Sequence, residues 1–182
     1  MSNKTNSGKE LVSGKKGIFS FPGFPLVIGC IGKNLITVAA ISMVSFDNPP
    51  LIMMGIVPKR YSFELIKKIQ NYSVNIPTTE LLEAVQYCGK VSGRDVEDKF
   101  EGAGLTPVRA SKISSYLIKE CPVNLECKVV HTLDMGGTHT WFIGEVVAAH
   151  IAKNYDKSNT IMFWPAEYRY VGNVIKIAKN SS

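Results

Sequence analysis

The stretch Pro25-Leu26-Val27-Ile28-Gly29-Cys30-Ile31-Gly32-Lys33-Asn34-Leu35-Ile36-Thr37-Val38-Ala39-Ala40-Ile41-Ser42 decides the class of fold. Pro25 to Ile31 is a short apolar run bounded by proline and glycine, the signature of a buried strand. Gly32-Lys33-Asn34 has the chemistry of a tight turn, and Leu35 to Ile41 is β-branched enough to return as the hairpin partner. A third strand, Leu51 to Val57, follows Asn48-Pro49-Pro50, which cannot sit inside a sheet. Three short strands therefore open the domain.

Further along, Pro58 closes the third strand and Ser62 occupies an N-cap position before Leu65, Ile66 and Ile69, whose spacing predicts a short helix ending near Asn71. Tyr72 to Ile76 returns to strand. Thr79 precedes a second helical pattern, Leu81, Leu82, Ala84, Val85 and Cys88, which Gly89 is expected to stop. Lys90 to Gly104 is charged and glycine-containing, the kind of surface segment that touches ligands. The second half is a long hairpin: Leu125 to Val129 alternates, Asp134-Met135-Gly136-Gly137 reverses the chain, and Trp141 to Ala149 runs back. Helices are short and no βαβ rhythm appears, so the expected fold is mainly β with short helices, an antiparallel closed or partly closed barrel.

With 182 residues, 45% apolar and 20% charged, and a mean hydropathy near zero, the chain reads as one soluble globular domain. At this length folding buries roughly 70% of the unfolded surface, so neither disulfides nor a structural metal is needed. The net charge of +6 is concentrated in the tails: Lys4, Lys9, Lys15 and Lys16 against Glu10 at the start, Lys176 and Lys179 at the end. The nearly neutral body argues against a nucleic-acid surface. The reading is a flexible basic tail (1–17), a single domain (18–176) and a C-terminal tail (177–182). Cys30, Cys88, Cys121 and Cys127 form no CxxC pair and read as reduced thiols of a cytoplasmic protein. No secretory signal is visible, and the longest apolar stretch, Ile18 to Ile31, is broken by Pro22, Gly23, Pro25 and Gly29 and too short to span a bilayer, so no membrane association is expected.

The common nucleotide loops GxxxxGK[ST] and GxGxxG are absent, as are GxSxG and HExxH. What remains is Pro58-Lys59-Arg60-Tyr61-Ser62, two cations and a hydroxyl at a helix start, which suits a phosphate dianion; the plainer reading is an N-cap serine beside solvated charges. His139, just after the glycine reversal, is either a solvated turn residue or a functional group. The small residues within Ile36 to Ser42 would let a flat ligand approach the backbone, or let a helix pack above it. His131, His139, Cys121 and Cys127 lack the spacing of a zinc site, and no metal is expected.

Taken together, several ordered segments resemble the flavin reductase-like family, the FMN-binding split barrels that include flavoredoxins and NAD(P)H:flavin oxidoreductases. They are Phe24-Pro25-Leu26-Val27, Asn34-Leu35-Ile36-Thr37-Val38-Ala39, Ser45-Phe46-Asp47-Asn48-Pro49-Pro50-Leu51, Pro58 to Ile66, Tyr72-Ser73-Val74-Asn75, Ser92-Gly93-Arg94-Asp95 with Asp98-Lys99-Phe100, Glu120-Cys121-Pro122 with Leu125-Glu126-Cys127, and His139 to Val146. The resemblance implies a homodimeric, six-stranded antiparallel split β-barrel holding FMN near the subunit interface. It implies that the strand Thr37, Val38, Ala39, Ala40, Ile41 and Ser42 runs along the isoalloxazine ring, that Lys59, Arg60 and Ser62 hold the phosphate, and that Lys99 is a second anchor. His139 matches the family's histidine on the side where nicotinamide would stack, although Gly137-Thr138-His139 stands where many members have Gly-Asp-His. The activity implied is transfer of hydride from NAD(P)H as cosubstrate to the flavin and of electrons onward; the alternative is a flavoredoxin-type carrier exchanging electrons with a redox protein partner.

Overall fold

A computed structural model describes residues 11–18, 20–164 and 167–175. The strands are β1 (Phe24–Pro25), β2 (Val27–Ile31), β3 (Asn34–Val38), β4 (Ile41–Ser45), β5 (Leu51–Ile56), β6 (Asn71–Ile76), β7 (Pro107–Arg109), β8 (Tyr116–Ile118), β9 (Val123–Asp134), β10 (Thr140–Ile151), β11 (Ile161–Trp164) and β12 (Glu167–Tyr170). Among the described residues four α-helices accompany them: α1 (Gly14–Ile18), α2 (Tyr61–Ile69), α3 (Leu82–Lys90) and α4 (Lys99–Ala103). Seven strands form one antiparallel sheet in the order β3-β2-β6-β9-β10-β5-β4. Its two edge strands are consecutive in the chain and separated only by Ala39-Ala40. Two residues span at most about 7 Å, so the sheet must curl until its edges meet. β3 and β4 are two halves of one bent strand, and the result is a barrel with six walls.

The expected single strand from Leu35 to Ile41 is thus broken at Ala39-Ala40. The long hairpin is longer than alternation alone predicts, because β9 and β10 each run twelve residues and absorb register shifts at Ile143/Gly144 and Val146/Ala148. β2 is buried along its whole length since both faces are covered. Val27 and Ile31 join Met54, Tyr72 and Phe142 inside the barrel, whereas Ile28 and Cys30 pack with Val85, Cys88 and Phe100 under α3 and α4. α2 plugs one end, with Ile66 buried and the Phe63 ring edge-on to Phe142 at 5.7 Å.

Two expectations about helix ends are corrected, at Ser62 and at Gly89. Ser62 is not the N-cap of α2: Arg60 holds that position without a side-chain cap bond, and Ser62 is buried in the first turn. Thr79 precedes α3 as expected, beginning a short 3-10 turn, Thr79–Leu81, that leads into it, and its hydroxyl donates to Asn159 Oδ1. Gly89 does not stop α3, which continues to Lys90; a side chain there would press on Thr37 Cβ at 3.3 Å, so the glycine admits close packing of helix on strand. The segment from Lys90 to Gly104 is not wholly surface, because α4 buries Lys99 and Phe100. Asp98 caps α4 by accepting from the N–H groups of Phe100 (2.7 Å) and Glu101 (3.3 Å), and Gly104 ends it at φ +65°. Of the expected N-terminal tail (1–17), residues 14–17 fall in α1, residues 1–10 lie outside the described residues, and so does the C-terminal tail 177–182.

One buried carboxylate ties the loop before β8 to the barrel. Glu126 is fully buried and accepts from Ser111 N (2.9 Å), Ser111 Oγ (2.8 Å) and Lys112 N (2.6 Å), with His150 Nε2 at 2.7 Å. Burial alone would raise its pKa, but the Ser111 N–H, the His150 imidazole, the Lys112 N–H and the Ser111 hydroxyl outweigh it and hold the carboxyl at about 2. The folded value lies below the unfolded one, so this stabilisation is complete above pH 4.5 and is lost as the pH falls towards 2. Glu126→Gln is expected to cost about 2–3 kcal/mol at neutral pH, with the gap from wild type closing below pH 4 in denaturant titrations. A gap independent of pH would contradict the ionised assignment.

Candidate functional site

A cleft of about 230 Å³ opens where β3, the end of β5, the start of α2, the end of α3 and the segment 91–98 converge. It gathers most of the residues singled out in sequence. Thr37, Val38, Arg60, Ser62, Lys99 and His139 line it. Lys59 is exposed and outside the lining, and Ala39, Ala40, Ile41 and Ser42 continue past the cleft along the bent strand. The Thr37 hydroxyl donates to Val85 O, so this side chain fastens α3 to β3 and leaves its backbone to the cleft.

Lys99 is 5% exposed, and its Nζ donates to Cys88 O (2.9 Å) and Val91 O (2.6 Å) at the C-terminal end of α3. Burial lowers its pKa, the Cys88 thiol opposes that, and the nearby Arg60 guanidinium lowers it further. Among the described residues no carboxylate pairs with Lys99 or Arg60. Two cations facing one cleft without an acid create a positive potential that an anion would relieve. Cys88 also lines the cleft, and burial pushes its thiol up to about 11 against the pull of Lys99. It is a neutral wall rather than a nucleophile.

The structure adds residues that sequence reasoning missed. Asn34 is 8% exposed, and its Oδ1 is the one buried side-chain polar atom among the described residues without a hydrogen-bond partner. Such an orphan is costly in a finished core but fitting for a group that awaits a ligand, and Asn34 lines the cleft. Gly93 closes over it: a Cβ there would lie 2.1 Å from Asn34 Oδ1 and 3.1 Å from the Tyr61 ring. Arg94 then stacks over Tyr61 at 5.1 Å and pairs with Glu64 on α2, strapping the segment across the cleft. Gly55 provides a bare stretch of β5 at the other end. The signal for Asn34 and Gly93 lay in the segments Asn34-Leu35-Ile36 and Ser92-Gly93-Arg94, quoted for resemblance but assigned no role.

His139 stands at the mouth, in the turn before β10, with Nδ1 2.8 Å from Thr138 Oγ1. The arrangement can therefore take a ligand whose anionic end reaches Lys99, Arg60 and Ser62, whose polar middle meets Asn34, and whose flat end lies over bare backbone towards His139.

Comparison with known proteins agrees with this fold. An uncharacterised protein of Archaeoglobus fulgidus is 36% identical over 138 residues, 76% of either chain. Flavoredoxin from Methanosarcina acetivorans is 28% identical and superposes with a TM-score of 0.82 over 95% of this chain and 96% of its own. An NADH:FAD oxidoreductase of Streptomyces globisporus, 20% identical, shares the fold with a TM-score of 0.76 over 91% of this chain and 99% of its own. The sequence from residue 18 to 172 matches the flavin reductase like domain, and the chain belongs to that family of split-barrel proteins.

Proposed function

We propose that the cleft binds FMN and that the protein is an NAD(P)H-dependent flavin oxidoreductase. The observation that carries the reading is the pair of unpaired cations, Lys99 and Arg60, beside the orphaned Asn34 Oδ1 in one cleft. In this reading Lys99, Arg60 and Ser62 hold the phosphate, with exposed Lys59 completing the charge around it. Asn34 accepts from a ribityl hydroxyl, and the backbone from Thr37 through Val38, Ala39, Ala40, Ile41 and Ser42 meets the polar edge of the ring. When bound, FMN supplies the redox chemistry, accepting hydride from NAD(P)H and passing electrons on. The protein binds it, orients it and limits water around it. His139, with Thr138 at Nδ1, presents its other nitrogen to the nicotinamide side.

At about 230 Å³ the cleft is smaller than the roughly 300–1,000 Å³ of a complete small-molecule site, so one chain supplies only part of it. The edge strand β4 leaves Met43, Val44 and the following Phe46 exposed at 63%, 47% and 82%. An apolar strand edge of this kind calls for a cover, and a homodimer in which a second copy closes the flavin site is the reading we adopt. The four buried, unpaired thiols suit a reducing cytoplasm. Among the described residues no helix is long and apolar enough to cross a membrane.

A flavoredoxin-type carrier without a nicotinamide site is the second reading, favoured by the likeness to the Methanosarcina protein and by Thr138 beside His139. Anaerobic mixing of the FMN-loaded protein with NADH or NADPH separates the two. Bleaching of the flavin absorbance, slowed in His139→Ala with FMN still bound, is the expected result. A flavin that stays oxidised would transfer the assignment to the carrier.

A further inference from the structure

At the edge of the cleft, Ala40 in the bend between β3 and β4, Gly55 on β5 and Trp141 on β10 lie side by side. Gly55 is the register partner of Trp141, and its N–H donates to Ala40 O at 2.7 Å. Cross-strand partners share a face of the sheet. The next row, Ile41, Met54 and Phe142, points the other way, with Met54 and Phe142 fully buried inside the barrel. Trp141 is therefore on the outer face, the side of the cleft.

The indole leans across the glycine. A Cβ at Gly55 would sit 3.2 Å from Trp141 Cζ3, 3.3 Å from Cε3 and 3.0 Å from Ala40 Cβ. The His139 ring centroid is 6.3 Å from that of the indole, with the planes 40° apart. Gly55 and His139 line the cleft, and Trp141, the register partner of Gly55 and a neighbour of His139, stands just outside that lining. Trp141 is half-buried, and among the described residues nothing accepts from its Nε1–H. A large aromatic ring thus stands at the rim beside a glycine, and a side chain at Gly55 would fill the space along its face.

We propose that Trp141 is an aromatic wall of the flavin site, standing against the isoalloxazine ring where that ring passes Gly55 towards His139. The proposal rests on the flavin-binding reading above. It makes Trp141 a residue that touches the cofactor and sets how much of the ring another molecule can reach. An indole is a far better electron donor than a phenyl ring, so contact with it darkens flavin emission, whereas phenylalanine fills much of the same space without that effect.

The test compares the emission of protein-bound FMN in wild type, Trp141→Phe, Trp141→Leu and Trp164→Phe, with binding followed independently by flavin anisotropy. Bound FMN is expected to be nearly dark in wild type and in Trp164→Phe, and several-fold brighter in both Trp141 variants. Affinity should fall roughly two- to tenfold in Trp141→Leu and less in Trp141→Phe. Tryptophan emission should be lost more completely on adding FMN in Trp164→Phe, which keeps Trp141, than in Trp141→Phe. Equal brightness of bound FMN in wild type and Trp141→Phe would overturn the proposal while leaving the site intact. Absence of any anisotropy change with wild type would instead remove the flavin-binding reading itself.

Discussion

Replacing Lys99 with methionine is expected to weaken FMN binding roughly 10- to 100-fold while changing riboflavin binding by less than about threefold, since a charge-assisted hydrogen bond to phosphate contributes on the order of 1.5–3 kcal/mol. Methionine matches the length and apolar stem of this 5%-exposed side chain, so the core around Cys88 and Phe100 is preserved. What is lost is the ammonium that Cys88 O and Val91 O hold in place. A pH signature should accompany the loss. In the free protein, burial and Arg60 favour the uncharged amine, whereas a bound phosphate favours the ammonium. Binding therefore takes up a proton above the free-protein pKa of Lys99. FMN affinity is full below that value and declines as pH rises through it. Equilibrium titrations across alkaline pH should show this decline in wild type and not in Lys99→Met, and riboflavin should show it in neither. Parallel weakening of FMN and riboflavin by Lys99→Met would move the phosphate elsewhere.

Gly93→Ala is expected to cost about 1–3 kcal/mol of stability, the range for forcing an extra carbon into a packed site, and to weaken FMN binding by at least about tenfold. The added methyl would start 2.1 Å from Asn34 Oδ1, an impossible separation, with the Tyr61 ring blocking retreat at 3.1 Å. Either Asn34 swings into the space that the ligand needs, or the strap held by Arg94 on Tyr61 and Glu64 lifts. Asn34→Ala removes the obstacle. The cost of Gly93→Ala to thermal stability should therefore shrink by about 1 kcal/mol or more in the Asn34→Ala background. Additive effects of the two substitutions would mean that the contact is not what makes glycine necessary.

The strands were legible because their signals are local. Prolines and glycines punctuate runs of β-branched residues, and β2 reads as a buried strand whatever it pairs with. The closure of the barrel was not legible from periodicity. It depends on a two-residue bend at Ala39-Ala40, and small residues in a strand carry no mark that says the strand turns a corner there. Helix ends failed for a related reason: Gly89 looks like a terminator until the Thr37 side chain is seen beneath it, and Ser62 looks like a cap until the backbone places Arg60 there. At the site, the charged helix start was conspicuous, but Asn34 and Gly93 are ordinary turn residues in sequence. Their meaning comes from being 59 positions apart and in contact, with an amide oxygen left without a partner. Lys99 drew attention only through resemblance, since nothing in Asp98-Lys99-Phe100 announces a buried cation.

The most direct test of the central claim, a flavin phosphate seated on Lys99, Arg60 and Ser62, is an equilibrium titration of flavin-free protein with FMN and with riboflavin, followed by flavin anisotropy. Saturable binding of FMN at least about tenfold tighter than riboflavin is the result this account predicts. Equal affinity for the two flavins, or binding of neither, would contradict it.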